Sequence, residues 1–483
     1  MAKNIMNTSD KSNFILNMTE EQYSKGAAFG LILACTAVSL FTIPPEISSD
    51  AAYSISAIGL AIPGVICMIL ALISIIRKFL DKKAIFASCA FGAMIGWGIV
   101  SLLDSYDINV GFYGFPQRGE GLLAILFYCC FFITAASIKR EKALKAVVNG
   151  IILAGLINSL FAVLQISTDK FSNYRHISIY FNFAASGLSQ SPIFLAMTLS
   201  LALIAALVVF VLDSSKKRQI FCLVCSCIFT FVMIYTFSLV SLAGIGLAGA
   251  AAIAAAIIKK SSKKRLFFLA MPVASGALAV ALCFAGLASS YKEYKLNDGY
   301  TLWTGDSYKR ASASGNYDKR AVDINDTFEV YGYLNRKTVD IIKDYPMTGT
   351  GPEQLVYPQI YTITDPMTGQ KMESMADITN INSGTFDKVY NEYLYTAATR
   401  GIPSLIALLC VILSVLGVGY RNMKKSSSSE SVCLFFITLG GTLIFLIGCS
   451  NIAFAPIFWT AAGASCAMSA DAEKITEKSS KTD

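Results

Sequence analysis

One histidine in 483 residues leaves this chain almost without the commonest acid–base side chain. The long apolar runs also have no Asp, Glu, Lys, Arg or His in their middles. Proton- or sodium-coupled carriers usually need an ionisable group or a broken helix near the membrane midplane. That shortage argues for chemistry at one membrane face rather than passage through the middle. Cysteine is missing from the polar stretch 289–390, which excludes a disulfide framework there. The thirteen cysteines lie in apolar runs. Cys222, Cys225 and Cys227 are spaced like metal ligands but have no His or acid beside them, so they read as small packing residues. No metal site is expected. No basic face interleaved with aromatics accompanies the net charge of +8, which excludes a nucleic-acid partner. No basic–apolar–small cleavage pattern opens the chain, so the first apolar run is expected to stay as an anchor. GIGLAG, with Gly244, Gly246 and Gly249, has no strand before it and reads as close helix packing, not a dinucleotide loop. No internal repeat is evident.

What is present is hydrophobicity: 54% of the chain. Crossing ~30 Å of hydrocarbon takes about 20 apolar residues. Twelve runs qualify: 26–43, 53–76, 84–103, 121–138, 146–166, 191–212, 219–237, 241–258, 266–288, 402–420, 431–450 and 452–469. Lys and Arg favour short cytoplasmic loops. With the N-terminus inside, the inner loops hold Arg77, Lys78, Lys82, Lys83, Lys139, Arg140, Lys142, Lys145, Lys216, Lys217, Arg218, Lys259, Lys260, Lys263, Lys264, Arg265, Arg421, Lys424 and Lys425. The short outer loops hold only Arg118, Lys170 and Arg175. The expected protein is all-α and multi-pass in the cell membrane, with both termini cytoplasmic and about twelve spans. Its parts are a cytoplasmic segment 1–25, a membrane block 26–288 (spans 1–9), an extracytoplasmic loop 289–401, a second block 402–469 (spans 10–12) and a cytoplasmic tail 470–483.

The available chemistry therefore sits on outer loops. Residues 291–326 are polar and expected to be irregular. Residues 329–344 place Val330, Leu334, Ile341 and Ile342 at helical spacing, predicting a short amphipathic helix stopped by Pro346. A Gly-Pro turn with Gly349, Gly351 and Pro352 follows, residues 365–385 read as loop, and helix resumes after Lys388. The second outer loop puts Arg118, Glu120 and Gly121 at the mouth of a span. Arg118 could snorkel to headgroups or clamp a phosphate bidentately, with the glycines allowing close backbone approach. The third outer loop holds Arg175 and His176, and the insert adds Arg336, Lys337, Lys343, Glu353, Asp387, Lys388, Tyr390, Asn391 and Glu392. Each alone is an ordinary surface residue. Together they put cations and acids from three loops at the membrane mouth, which suits a lipid-linked phosphate.

KVYNEYLYTAATRGIPSLIALL resembles the signature of the O-antigen ligase and polymerase superfamily, in which a His-Asn pair precedes a Tyr-Leu and a Gly-Ile. IIKDYPMTGTGPEQL is similar to that family's Pro, Gly-x-Gly turn after its outer helix. FPQRGEGLLAILFYCC is similar to its Arg-bearing helix start, and APIFWTAAGASCAM to its last span. By motif the likeness covers residues 100–135 and 328–469. It implies a membrane glycosyltransferase that takes a glycan from an undecaprenyl-diphosphate donor at the outer membrane face. The acceptor would be a sugar, growing glycan or protein, with neither metal nor cofactor. The motif details are closer to Gram-positive members, so a surface-polysaccharide or cell-wall acceptor is expected.

On that reading Arg118, Arg336, Lys337 and Arg175 hold the diphosphate, whose departure needs charge stabilisation more than a proton. Glu120, Gly121, Asn391, Gly349, Gly351 and Pro352 support the site. The acceptor hydroxyl needs a positioned base. Here the chain departs from the family pattern. Tyr390 stands for the family's His, Tyr331 for an Arg and Asn335 for an aromatic residue, and FSLVSLAG lacks an Arg. Tyrosine, with a pKa of about 10, is a poor base at neutral pH. Three alternatives follow: Glu392 or Asp387 is the base, Tyr390 only orients the acceptor, or the chain binds glycolipid without transferring it. A transporter of lipid-linked sugar is the competing class, and it predicts a charged or water-filled path through the bundle.

Overall fold

Apolar runs of this length must satisfy every backbone polar group internally, which leaves helix as the available structure. The computed structural model describes residues 17–41, 49–115, 118–167, 185–189, 191–284, 324–361, 386, 388–426 and 428–467, and the regular structure of these residues is all helical. The helices are α1 (Glu20–Phe41), α2 (Ser49–Ile76), α3 (Ile85–Leu103), α4 (Ile108–Tyr113), α5 (Leu122–Ala136), α6 (Glu141–Ser167), α7 (Pro192–Leu212), α8 (Lys216–Ile234), α9 (Leu239–Ile258), α10 (Lys263–Phe267), α11 (Ala270–Phe284), α12 (Ile324–Asp344), α13 (Tyr357–Tyr361), α14 (Glu392–Lys425), α15 (Ser429–Ile444) and α16 (Ala455–Cys466).

Each of the twelve apolar runs carries a helix. Among the described residues nine are long and apolar enough to cross a membrane, so the chain is a multi-pass membrane protein. Helix α5, with 15 residues, α15, with 16, and α16, with 12, are shorter. These three are also among the most enclosed. Every residue of α16 is buried, and it packs on α5, α14 and α15. A 12-residue helix rises only about 18 Å, so its ends finish inside protein and need protein partners. Asn451 Oδ1 accepts from the amides of Ala453 (3.1 Å) and Phe454 (2.9 Å) at the start of α16. Asn422 Nδ2 donates to the carbonyls of Ser465 (3.1 Å) and Cys466 (3.0 Å) at its end.

The amphipathic helix α12 begins at Ile324, five residues before the expected start at 329, because Ile324 and Phe328 continue the apolar spacing. Residues 291–323 and 365–385 of the expected loops lie outside the described residues. Leu334 and Ile341 are buried with Leu355, Val389, Tyr395 and Ala398, so α12 lies against the start of α14 in a small second core. At the other end of the bundle, Arg218 bonds Asp213 (2.5 Å), Glu430 (2.6 Å) and Asn149, tying the ends of α6, α7, α8 and α15.

Helix α14 breaks just where it would enter the bundle. Gly401 has φ 78° and ψ 167°, a region open essentially to glycine alone, and Pro403 has no N–H to give. The helix therefore forfeits the bonds to the carbonyls of Ala398 and Thr399. The Gly-Pro turn after α12 replaces them: Thr350 N–H donates to Ala398 O (2.9 Å), and Ile402 N–H donates outward to Pro346 O (2.8 Å). Ser101 Oγ of α3 donates to Thr399 O (3.0 Å). The strands of backbone touch: a Cβ on Gly401 would lie 1.8 Å from Met347 O, and one on Gly349 2.4 Å from the Thr399 carbonyl carbon. Gly401→Ala is therefore expected to cost about 3 kcal/mol or more. Gly417→Ala, in the same helix with nothing within 4 Å of the new Cβ, should be neutral or gain up to about 1 kcal/mol. Thermal unfolding of the purified protein in detergent compares the two, and equal melting temperatures would refute the account of the kink.

Candidate functional site

The kink and the turn bring four separated segments together beside the ends of α3 and α5. Gln354, fully buried, fastens the turn to the loop between α3 and α5: its Nε2 donates to Asp107 O, and its Oε1 accepts from Asp107 N–H (3.0 Å). That loop ends in Arg118 and Glu120, and its path is fixed by backbone-to-backbone packing. A Cβ on Gly121 would lie 2.4 Å from both Gly114 N and Phe112 O. The close approach expected of a phosphate at Gly121 is thus taken by the chain itself.

Glu120, Glu353, Lys388, Glu392 and Arg400 are all buried, none more than 8% exposed. Lys388 is the hub. Its ammonium is paired with Glu120, lies 3.6 Å from Glu353 Oε1 and donates to Ser450 O (3.0 Å) in the link between α15 and α16. Rings of Phe194 and Tyr395 lie over it at 5.6 Å and 5.5 Å. Tyr395 OH donates to Glu353 Oε1 (2.7 Å). Glu353 itself holds φ 61°, which a non-glycine residue adopts only under constraint. Half-buried Arg118 is close enough to act electrostatically on Lys388 and Tyr395. Burial pushes the Glu120 carboxyl well above the usual carboxylate range, and Lys388 only partly offsets it. Burial alone would lower the lysine, but Glu120 and Glu353 outweigh it and hold the ammonium above its ordinary value. Both shifts favour protonation.

Beside the hub lies a cavity of about 30 Å³, lined by Glu120, Tyr128 and Glu353 and, further into the bundle, by Phe91, Leu408 and Trp459. Three polar atoms of its lining residues have no hydrogen-bond partner among the described residues: Glu120 Oε1, Glu353 Oε2 and Tyr128 OH. The apolar runs carry no ionisable group in their middles, yet Glu120, Glu353 and Lys388 from the connecting segments and Glu392 and Arg400 from the first turns of α14 are buried together.

The candidate residues separate accordingly. Arg118, Glu120, Gly349, Gly351, Pro352 and Glu392 belong to this assembly. Asn391 caps α14, accepting from Tyr393 N–H and Leu394 N–H at 3.1 Å each. Glu392, expected as a base, is already occupied. Its Oε2 accepts from Ser450 N–H (2.7 Å), and its Oε1 accepts from Thr396 Oγ1 (3.1 Å) and faces Arg400 at 3.5 Å. Arg336 and Lys337 are exposed, because Leu334, Thr338 and Ile341 take the inward face of α12, so they do not join the buried cluster. Tyr390 is half-buried and stacks on Tyr331, ring centroids 5.2 Å apart and planes 28° apart. Asp387, Arg175 and His176 lie outside the described residues. Arg400 was missed as a site residue. Its signal is the spacing Glu392–Thr396–Arg400, one face over two turns, directly before Gly401 and Pro403. Among the described residues no group of three or more His, Cys, Asp or Glu is placed to hold a metal.

No protein-family model matches this chain, and no curated protein matches it.

Removing Lys388 leaves Glu120 and Glu353 buried without their shared cation, so Lys388→Met should cost about 3–5 kcal/mol. Glu120 can then take up a proton. A buried acid whose folded pKa is raised binds more protons folded than unfolded, so stability falls as pH rises. The loss should thus be larger near about pH 8.5 than near about pH 6 and partly recovered in Lys388→Met/Glu120→Gln. Melting curves at the two pH values check this, and a pH-independent loss would count against the pairing.

Proposed function

We propose that this protein is a membrane glycosyltransferase of the O-antigen ligase-like kind. In this reading it moves or polymerises a glycan from an undecaprenyl-diphosphate donor at the outer face of the cytoplasmic membrane, for surface-polysaccharide or cell-wall assembly in a Gram-positive bacterium. One observation carries the reading. The segments the family resemblance singles out are far apart in sequence, yet Arg118–Glu120, the 349–353 turn and 388–400 meet in one cluster of acids and cations. About twelve spans, both termini inside and the 289–401 segment outside complete the proposal and agree with the alternation of basic loops.

The chemistry follows from the parts. A glycosyl diphosphate already has a good leaving group. Cations held in a site shielded from water stabilise the charge that develops on it without reorganising. Arg118 is the half-buried cation nearest the loop surface and is assigned to the diphosphate. Arg400 and Lys388 are held inside by carboxylates and shape the field around it. The acceptor hydroxyl must reach a base within hydrogen-bond distance.

The cavity's reach to Phe91, Leu408 and Trp459 favours a second reading, a carrier of lipid-linked sugar, because it places ionisable groups inside the bundle. The two readings separate in one assay. Purified protein in lipid nanodiscs is given an undecaprenyl-diphosphate-linked glycan and a panel of glycan acceptors. The transferase reading expects glycan transfer by wild type, reduced about 10²–10³-fold in Arg118→Ala, as for loss of one charge-stabilising donor. Equal rates would remove Arg118 from the mechanism. Failure of wild type to transfer, with movement of the lipid-linked sugar across proteoliposomes, would establish the carrier instead. Binding without either activity would leave a glycolipid-binding protein.

A further inference from the structure

Glu120 and Glu353 each use one carboxylate oxygen on Lys388. The other oxygen of each is buried and has no hydrogen-bond partner among the described residues. A buried acceptor without a donor costs roughly 1–3 kcal/mol, and more when charged, so two such atoms beside one cavity need an explanation. Tyr128 OH, equally without a partner among those residues, lines the same cavity. About 30 Å³ admits a hydroxyl group or a water but not a sugar ring. The hydroxyl tip of a larger molecule would fit this space and could donate to these oxygens.

We infer that the group which receives the acceptor's proton is the Glu120–Glu353 carboxylate pair, not Tyr390 or Glu392. This rests on the transferase reading above. Both oxygens of Glu392 are bonded, to Ser450 N–H and to Thr396 with Arg400 beside it. Tyr390 stacks on Tyr331 and does not line the cavity. The step balances without a co-reactant. The acceptor O–H bond breaks and its proton goes to Glu120 Oε1 or Glu353 Oε2. The freed oxygen bonds to the anomeric carbon. The bond from that carbon to the diphosphate breaks, its electron pair leaving on the phosphate oxygen beside Arg118. Water removes the proton once product departs. Burial raises the Glu120 carboxyl, which favours its holding the transferred proton. Among the described residues Lys388, Glu392, Arg118, Arg400, Tyr128, Tyr395 and Cys449 are the other charged or titratable groups around the pair.

Two measurements on the full-length protein in nanodiscs test this. The first is labelling with dicyclohexylcarbodiimide, which reacts with protonated carboxyls in apolar surroundings, read by peptide mass spectrometry. Labelling is expected at Glu120 or Glu353, declining as pH rises, with Glu392 spared. Labelling at Glu392 alone, or at none of the three, overturns the inference without reference to activity. The second is transfer by Glu120→Gln and Glu353→Gln. At least one should lose transfer 10²-fold or more and flatten the acidic limb of the pH–rate profile, with a melting temperature near that of wild type. If both keep more than a tenth of wild-type transfer, the base lies elsewhere and the transferase reading survives. Absence of transfer by wild type overturns the function and this assignment together.

Discussion

When α14 breaks at Gly401 and Pro403, the carbonyls of Ala398 and Thr399 and the amide of Ile402 lose their helical partners away from bulk water. A buried backbone group left unpaired costs about as much as a lost hydrogen bond. The break is tolerated because a turn from another part of the chain lies in register to exchange those bonds, and because Ser101 of α3 supplies the last donor. The exchange works only if the two backbones come within contact distance, which the glycines at 349 and 401 permit. Once it is made, the turn, the kink and α3 cannot move independently. The positions of Glu353 on the turn and Arg400 at the kink are then set by backbone bonding rather than by side-chain choice.

The buried charges follow from that fixed frame. An ion pair taken out of water is retained only when geometry and extra hydrogen bonds replace hydration. Here the replacements come from backbone and aromatic groups on short or irregular segments: Ser450 O for Lys388, Ser450 N–H for Glu392, and the rings of Phe194 and Tyr395 over the ammonium. Irregular backbone within a membrane bundle is tolerated where protein surrounds it or a cavity is lined by it. The link between α15 and α16 meets that condition because α15 and α16 stop early, with asparagines closing both ends of α16. Three helices too short to span ~30 Å as helix alone are thus the means by which polar atoms reach the site.

Sequence reading located the helices well, because apolar length is a strong signal and the run from Glu329 to Asp344 shows its amphipathic period openly. It also singled out segments that the fold brings together in one buried cluster. It could not say which way side chains turn once loops fold inward. Arg336 and Lys337 read as diphosphate ligands and Lys388 as a residue without a role, yet a rotation set by Leu334 and Ile341 leaves the first two exposed while Lys388 is buried. Glu392 looked like a free acid because its partners, Ser450 and Arg400, are 58 and 8 residues away. Nor does an apolar run without charge say what packs beside it, since short helices leave space that a loop can enter.

Two of the four departures from the pattern of the resemblance meet in space. Where the resemblance would put an Arg and a His, this chain has Tyr331 and Tyr390, and their rings stack. Either change alone would set a phenol against a cation or an imidazole. Together they make a neutral pair, and burial raises the Tyr331 hydroxyl well above its ordinary value, so it stays un-ionised. Such a pair can pack or orient. Beneath it the chain keeps two carboxylates with buried oxygens beside a cavity, a lysine between them, and arginines on either side in sequence. On the transferase reading, the stacked tyrosines are left to orient the acceptor, and proton handling falls to the buried acids.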